Sequence, residues 1–373
     1  MKPTVVRELS IRGLRNIHAV DLQPSAAVNV LYGDNGQGKT SLLEALYLVA
    51  TTKSFRTHRV RDVVEHDAQG CHVTARIDDG IMVRVQAFGL AGTQQVVRID
   101  GQKPANLAGY ATRTPVVVFH PGELELTMGT ASVRRTLLDR VALFQNPGSL
   151  AAHRAYTRAL RERQTALERE GEASRSVDPW ERLLAEHGAA LTRARRQAAD
   201  RIGQVCSEAF RAMAAEGSSV VVHYDPAGSE DPEVCAQRLR QDRSRDLRRP
   251  TARFGPHRDD LSILLGGRPA RVVASQGQHR LITLSLKVAE LTCLSEAAGS
   301  RAVLLLDDVS SELDAARASS FFALLGNRLD QVFLTTARRE VASNIESVLG
   351  SAAMYEVIAG QVYPRTGSAQ GTT

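Results

Sequence analysis

The pattern of apolar and polar positions changes twice along the chain. From residue 1 to 145 it alternates over short runs, as in CHVTARIDD and IMVRVQAF. This alternation predicts antiparallel strands with one solvent-exposed face. In the same stretch, the apolar run 28–32 precedes a glycine-rich loop, and apolar residues recur at helical spacing over 41–50. We therefore predict a strand, a loop and a helix in succession, and a further buried strand at 115–121.

The stretch from 146 to 249 carries long helical patterns rich in Ala, Arg, Glu, Leu and Gln. We predict an inserted helical lobe, with helices long enough for an antiparallel pair and too short for a long coiled-coil arm. Six arginines close the stretch, and we take four of them as candidate contacts to DNA phosphates: Arg243, Arg245, Arg248 and Arg249. Two aspartates interleave with these arginines, so a solvated helix face is the alternative.

After residue 250 the α/β pattern returns, with a helix at 281–297 and strands in RAVLLLDD and QVFLTTA. We predict that 250–363 complete the fold begun by 1–145, and that 364–373 form a flexible tail. The fold class is then α/β. It has a mixed-sheet core, an antiparallel β subdomain and the inserted helical lobe.

The composition is that of a globular protein of 373 residues, 43% hydrophobic and 24% charged, which is long enough for two compact units. A net charge of +6 favours polyanionic partners. The four cysteines lie far apart with no C-x-x-C pair, which argues against a zinc site or a disulfide framework. No apolar run approaches the roughly 20 residues that span a bilayer, and the first residues lack the apolar core of a secretory signal. We therefore expect a cytoplasmic protein without a membrane partner.

Residues 33–40 fit the phosphate-binding pattern G-x-x-x-x-G-K-[ST]. Glycines let backbone amides curl around a phosphate, the lysine adds a positive charge, and the threonine hydroxyl ligates Mg²⁺. The helix that follows directs its N-terminal dipole at the phosphates. We predict an ATP site formed by Gly33, Asp34, Asn35, Gly36, Gln37, Gly38, Lys39, Thr40 and Ser41.

Four apolar residues, 303–306, lead into two acids, Asp307 and Asp308. Such a strand delivers Asp307 to its carboxyl end, where the side chain can join Thr40 in holding Mg²⁺. Asp308 can orient or deprotonate the attacking water, so we predict that Asp308 and Lys39 are the catalytic residues. The alternative is an apolar strand that ends in solvated acids. It is disfavoured because the same chain contains the phosphate-binding loop at 33–40, the P-loop.

A polar tetrapeptide opens the helix before the acidic strand: Ser275, Gln276, Gly277 and Gln278. Its place in the chain resembles the signature loop of ABC ATPases, whose Ser and Gly amides at a helix N-terminus meet the γ-phosphate held by a second subunit. The segment SELD at 311–314 resembles the D-loop that crosses the same interface. We therefore expect the tetrapeptide and Asp314 to act in trans, in an ATP-bound homodimer.

Together these motifs resemble the RecF family, within the SMC class of ABC-type ATPase heads. The resemblance runs through GDNGQGKTSLLEALY, KSFRT, GPHRDDL, SQGQHR and LLLDDVSSELD, and it covers nearly everything from residue 5 to 340. It implies an ABC-type head with ATP and Mg²⁺ as cofactors. It also implies that Arg56 lies near the γ-phosphate, with an ordinary surface arginine as the alternative.

For function, the resemblance implies a DNA-binding protein of recombinational repair. Such a protein would form an ATP-dependent dimer on duplex, single-stranded or gapped DNA. With RecO and RecR as partners, it would support the loading of RecA, the maintenance of replication forks and SOS induction. The implied activity is a weak, DNA-dependent ATPase without nuclease activity.

Two departures from transporter-type ATPases predict slow hydrolysis. Thr335 and Thr336 stand where transporters carry a switch histidine, and Asp308 stands where a longer glutamate usually serves. The segment from Phe119 to Glu123 also lacks the glutamine of a Q-loop. Our alternative function, the ATPase subunit of a membrane transporter, is disfavoured because the switch histidine is missing, the signature loop is altered, and transporter ATPases have no counterpart of the helical insertion. An ATPase fused to a nuclease is disfavoured because no stretch is left over to house one.

Overall fold

The structure is a computed structural model, and it describes residues 1–214, 217–249, 251–308, 321, 325, 330–337 and 352–365. The chain divides into two compact units, Met1–Glu123 with Glu290–Thr373 as the first and Leu124–Ala289 as the second. The helical insertion predicted at 146–249 lies within the second unit. Asp314 of the predicted D-loop and residues 366–373 of the predicted tail lie outside the described residues.

The strands and helices are named in chain order. Up to the boundary of the first unit they are β1 (Val5–Leu14), β2 (Ile17–Leu22), β3 (Val28–Tyr32), α1 (Lys39–Thr51), β4 (Gly70–Asp78), β5 (Val83–Ala91), β6 (Gln94–Ile99), α2 (Leu107–Ala111) and β7 (Val116–Phe119). The second unit follows with α3 (Glu125–Met128), α4 (Ala131–Gln145), α5 (Ser149–Glu170), α6 (Asp178–Met213), β8 (Val220–Asp225), α7 (Pro232–Gln241), α8 (Arg243–Leu247), β9 (Asp260–Leu265), β10 (Arg268–Pro269) and α9 (Ala270–Val273). The unit boundary falls within α10 (Gln276–Ala298), and the chain continues with β11 (Val303–Leu306), β12 (Val332–Thr336), β13 (Ala352–Ile358) and β14 (Gln361–Arg365).

The core of the first unit is a six-stranded sheet in the order β14-β13-β3-β12-β11-β7. All its neighbouring strands are parallel except the β13–β14 pair, which is antiparallel. Every residue of β3, β7, β11 and β12 is buried, as expected where helices or a second sheet cover both faces of a parallel sheet. Because parallel strands end at one edge, the residues after β3, β11 and β12 come together there.

A second sheet of the first unit is antiparallel, in the order β2-β1-β4-β5-β6. Along β4 and β5 the buried positions alternate with exposed or partly exposed ones, which confirms the sequence prediction. Helix α1 is buried from Ser41 to Ala50 and shares one hydrophobic cluster with residues of both sheets, including Ile11, Phe88 and Phe333. A helix that is buried nearly all round needs such a continuous apolar sequence.

The second unit is built on the antiparallel pair α5 and α6, with a small sheet in the order β10-β9-β8. Buried ion pairs organise it, because Arg163 contacts both Glu181 and Asp246. The GPHRDDL segment takes part in a separate buried cluster: Asp259 is buried and accepts hydrogen bonds from Arg195, from Tyr224 and from a backbone amide. In the second unit, then, this segment of the family pattern has a structural role.

Among the described residues, no helix is both long enough and apolar enough to cross a membrane.

Candidate functional site

The phosphate-binding loop connects the end of β3 to the start of α1. Gly33 and Gly38 have φ angles of 149° and 113°, which residues with a side chain rarely adopt. At Gly33 a Cβ would also lie 2.4 Å from the carbonyl oxygen of Val357. Helix α1 begins at Lys39 without a side-chain cap, so the amides of its first turn are available to an anion. The local sequence therefore produces a phosphate cradle.

Two neighbouring segments hold this loop in place. Asn16 donates from Nδ2 to the carbonyl oxygen of Gly36 at 2.9 Å and accepts from the Ser41 hydroxyl at 2.9 Å. On the other side, the turn between β13 and β14 donates two backbone amides to Gln37, from Gly360 to its carbonyl oxygen at 2.8 Å and from Ala359 to its side-chain oxygen at 2.6 Å. The loop is therefore preorganised, and the side chain of Gln37 is engaged in holding it.

Lys39 lies across the loop and is mostly buried. Its Nζ donates to the carbonyl oxygens of Gly33 and Asp34, at 2.5 and 2.7 Å. Burial lowers the pKa of Lys39, and the charges of Asp308, Asp307 and Asp34 oppose this shift without cancelling it. The ammonium group is thus positioned at the mouth of the cradle, where a phosphate would offer it a stronger partner than two carbonyls.

Asp307 and Thr40 are brought together, although 267 positions separate them. The Thr40 hydroxyl donates to Oδ1 of Asp307 at 2.8 Å, and the Asp307 amide donates to the carbonyl oxygen of Phe119, also at 2.8 Å. Among the described residues no group of three or more His, Cys, Asp or Glu side chains could hold a metal alone. Mg²⁺ usually takes one or two protein oxygens and completes its shell with phosphate and water. The Thr40–Asp307 pair fits that kind of site.

Asp308 adopts a left-handed backbone conformation with φ of 50°, which costs free energy for a residue other than glycine and tends to occur at functional sites. Thr335 supports this geometry. Its hydroxyl accepts the amide of Asp308 at 2.9 Å and donates to Oδ1 of Asp307 at 2.8 Å. Sequence reasoning gave Thr335 no role in positioning. The sequence offered one signal for this role: one buried strand ends in two threonines, and another is followed directly by two acids.

Arg56 lies near the phosphate-binding loop and is paired with a buried acid, Glu44, that sequence reasoning did not single out. Its Nη1 is 3.3 Å from Oε2 of Glu44, and Arg15 binds both oxygens of Glu44 at 2.8 and 2.9 Å. Burial would raise the pKa of Glu44, but hydrogen bonds from Arg15 and Ser54, together with the charge of Arg15, outweigh it and lower the pKa. Glu44 is therefore an anion that holds two cations beside the phosphate loop.

These groups surround one cavity of about 530 Å³ in the first unit. It is lined by loop residues, by both acids and by the arginine pair: Arg15, Asn16, Asn35, Gly36, Gly38, Lys39, Thr40, Ser41, Arg56, Asp62, Val64, Asp307, Asp308, Thr335 and Ala337. Most of the predicted site residues of the first unit therefore line a single space.

The predicted signature tetrapeptide forms the start of α10. The Ser275 hydroxyl accepts the amide of Gln278 at 3.3 Å, and the Gln278 side chain accepts the amide of Ser275 at 2.8 Å. This reciprocal arrangement is a capping box. Ser275 and Gln276 are exposed, whereas Gly277 and Gln278 are partly exposed. The trans role of the tetrapeptide stays a prediction.

The predicted DNA-contacting arginines differ in their surroundings. Arg243 pairs with Asp178 at 2.5 Å and with the buried Glu181 at 2.6 Å, so the structure holds it inside the second unit and does not present it to a partner. Arg245 is exposed but lies 3.3 Å from Asp242. Arg248 and Arg249 are exposed.

The fold and the site together define a class of protein. The family model described as RecF/RecN/SMC N terminal domain matches residues 5–358. The Smc head domain from Pyrococcus furiosus, solved with the C-terminal domain of ScpA, superimposes with a TM-score of 0.54 at 15% identity over 97% of this chain and 96% of that one. The protein is an ABC-type ATPase head of the SMC class.

Closer similarities define the family within that class. The DNA replication and repair protein RecF of Anaeromyxobacter sp. (strain Fw109-5) is 37% identical over 370 residues, which covers 95% of this chain and 98% of the relative. A solved structure of the recombination mediator protein RecF with ATP, in the RecFOR pathway, matches with a TM-score of 0.88 at 26% identity and covers 98% of each chain. The chain belongs to the RecF family of DNA replication and repair proteins.

Proposed function

We propose that this protein binds ATP with Mg²⁺, forms a homodimer in that state and binds DNA during recombinational repair. The observation that carries the proposal is the single cavity in which the P-loop, Lys39, the Thr40–Asp307 pair and Asp308 meet. The RecF structure solved with ATP supports the choice of nucleotide.

In the proposed complex, each residue of the cavity has a distinct task. The loop amides and Lys39 would bind the β- and γ-phosphates, and Thr40 and Asp307 would hold Mg²⁺, whose charge would offset that of the phosphates. Asp308 orients the attacking water. Arg56 is positioned by Glu44 and faces the γ-phosphate.

Hydrolysis should be slow. A hydrolytic water needs a base within hydrogen-bond reach, and the short side chain of Asp308 extends less far than glutamate. Thr335, one residue before the end of β12, offers a hydroxyl that is already engaged with the Asp307 side chain and the Asp308 amide, and no imidazole. A slow ATPase suits a protein whose ATP-bound form is the working state, because the nucleotide then stabilises that state by mass action.

The homodimer and the partners rest on the family. The exposed start of α10 would meet the nucleotide of a second copy, so each site is completed in trans by Ser275, Gln276, Gly277 and Gln278, and by Asp314. The RecFOR pathway named for the solved relative supports RecO and RecR as partners, and with them a role at single-strand gaps, in RecA loading, replication-fork maintenance and SOS induction. Arg245, Arg248 and Arg249 remain candidate DNA contacts.

Analytical ultracentrifugation tests this proposal. The protein is sedimented with ATP and Mg²⁺, with ADP and without nucleotide, each with and without a gapped duplex. We expect monomers without nucleotide, dimers with ATP, and DNA co-sedimenting with the dimer. Lys39→Arg is the control and should not dimerise with ATP, because the planar guanidinium does not replace the compact ammonium charge. A wild-type protein that stays monomeric at saturating ATP and DNA would overturn the dimer.

A further inference from the structure

Helix α5 in the second unit has two chemically different faces. Its buried face packs into the unit through Tyr156, Ala159, Ala166 and Leu167. The opposite face carries Arg154, Arg158 and Arg161, which recur at intervals of four and three residues and are all exposed. Residues at that spacing lie on one side of a helix. The first thirteen residues of α5, Ser149 to Arg161, contain these three arginines and no acid.

Four other arginines of the same unit are held inside it by acids. Arg134, Arg163, Arg195 and Arg243 are buried or nearly so, and each pairs with one or two carboxylates. The acids concerned are Asp139, Asp178, Glu181, Asp246, Asp259 and Asp260. These acids are therefore committed to internal cations.

The three arginines of the exposed face make no such pair. In the described part of the chain, no carboxylate contacts Arg154, Arg158 or Arg161, and the one side-chain hydrogen bond among them runs from Arg161 to the carbonyl oxygen of Thr157 at 3.4 Å. The patch continues sideways, because Gln164 donates to the carbonyl oxygen of the exposed Arg249 at 2.8 Å. Arg249 thus lies beside the same helix.

We propose that the outward face of α5, formed by Arg154, Arg158 and Arg161 and continued by Arg249, is a contact surface for the phosphate backbone of DNA. The inference rests on the DNA-binding part of the proposed function and names the surface that performs it. Guanidinium groups suit phosphates because their planar donors match the phosphate oxygens.

The dimensions agree with a duplex. Arg161 lies seven positions after Arg154, which at the helical rise of about 1.5 Å per residue is about 10 Å. Along the axis of B-DNA one strand presents a phosphate about every 3.4 Å, so this length faces about three phosphates. Contacts to phosphates carry no sequence information directly, so this contact should be independent of sequence. Arg248 and Arg249, exposed at the side of the helix, would extend it.

Fluorescence anisotropy with a gapped duplex oligonucleotide, ATP and Mg²⁺ tests the surface across a series of salt concentrations. Arg154→Gln, Arg158→Gln and Arg161→Gln are combined in one variant. Three lost phosphate contacts should reduce the magnitude of the slope of log K against log salt by about 2 to 3, and weaken binding tenfold or more near 0.1 M salt.

Two further variants separate this role from an effect on folding or on net charge. Arg175→Gln, Arg182→Gln and Arg211→Gln remove the same charge from exposed positions of the same unit outside α5, and should change the slope by less than about 1. Replacing the three α5 arginines by lysine keeps the charge and should keep most of the slope. Equal slopes for wild type and the α5 glutamine variant would overturn the surface and leave DNA binding intact. A wild type that binds no DNA at any salt concentration would overturn the proposed function itself.

Discussion

At the scale of single residues, Thr335 connects the two acids of the site. Its hydroxyl donates to Asp307 and accepts from the amide of Asp308. A hydroxyl is a small group that donates and accepts at once, and valine has nearly the same shape without that capacity. The position therefore allows the hydrogen bonds to be removed with little change in packing.

We expect Thr335→Val to slow ATP hydrolysis about 10- to 100-fold, the usual effect of losing a group that orients a metal ligand. It should also raise the Mg²⁺ concentration needed for turnover. Binding of ATP without Mg²⁺ should change little, because the loop amides are untouched. Steady-state hydrolysis measured against Mg²⁺ concentration checks this, with Thr335→Ser as the control that keeps the hydroxyl. A valine variant with the wild-type Mg²⁺ dependence would contradict the assignment.

Glu44 makes a contribution to stability that depends on pH. Although burial favours its neutral form, Arg15 and Ser54 lower its pKa below the usual 4.5. A carboxylate with a depressed pKa in the folded state stabilises the fold at pH values above its unfolded-state pKa, and this contribution is lost as the pH falls through the folded-state value. The Arg15–Glu44 pair should therefore weaken in acid.

We expect Glu44→Gln to lower the free energy of unfolding by about 2–3 kcal/mol near pH 7, somewhat less than for a fully buried pair because Arg15 retains contact with water. The difference from wild type should shrink as the pH falls below the unfolded-state pKa of 4.5 and through the lower folded-state pKa. Urea denaturation at several pH values measures it. Glu8→Gln, which breaks an exposed pair with Arg76, should cost less than about 1 kcal/mol. A Glu44→Gln penalty that does not vary with pH would refute this account.

At the scale of elements, the turn between β13 and β14 functions as a support for the P-loop. Gly360 has φ of 77°, and a Cβ there would lie 2.2 Å from the carbonyl oxygen of Asn16. The turn must then move away from Asn16, and its amide would leave Gln37. The strain of such a position is about 1–3 kcal/mol.

We expect Gly360→Ala to weaken ATP binding about 5- to 100-fold, if that strain is relieved by displacing the loop. Gly101→Ala is the matched control, since Gly101 has φ of 76° in the same unit with nothing within 4 Å of its Cβ position. It should lose stability but keep nucleotide affinity. Titration with a fluorescent ATP analogue compares the two, and equal affinities would show that the turn does not support the loop.

The sequence predicts those elements whose signals are local. Alternation predicts β4 and β5, and the glycine pattern at 33–40 predicts the loop. The roles of Asn16 and Thr335 could not be predicted, because they depend on the register of strands distant in the chain. Arg243 shows the same limit. Its partners Asp178 and Glu181 precede it by 65 and 62 positions, so an arginine-rich sequence could not reveal that this side chain is committed inside the fold.

At the scale of the whole molecule, the proposed chemistry is divided between the two units. The P-loop, the acids and Arg56 belong to the first, and the exposed start of α10 belongs to the second. If the tetrapeptide completes the site of another copy, substitutions in the P-loop should impair ATP binding. Substitutions in the tetrapeptide should impair association of the two copies without impairing ATP binding. A bulky substitution at Ser275 should then spare binding of ATP and abolish only association.

We expect Ser275→Arg to bind ATP as wild type does and to remain monomeric, because a long cation would obstruct the face that meets the second copy. The substitution also removes the capping hydroxyl, which costs about 1 kcal/mol at a helix N-terminus. Ser275→Ala loses the same cap without adding bulk, and it should still associate, though more weakly. Sedimentation with ATP and nucleotide titration are carried out for both variants. Comparing them distinguishes obstruction of the interface from fraying of the start of α10. If Ser275→Arg loses ATP binding itself, the serine belongs to its own copy's site and the trans assignment fails.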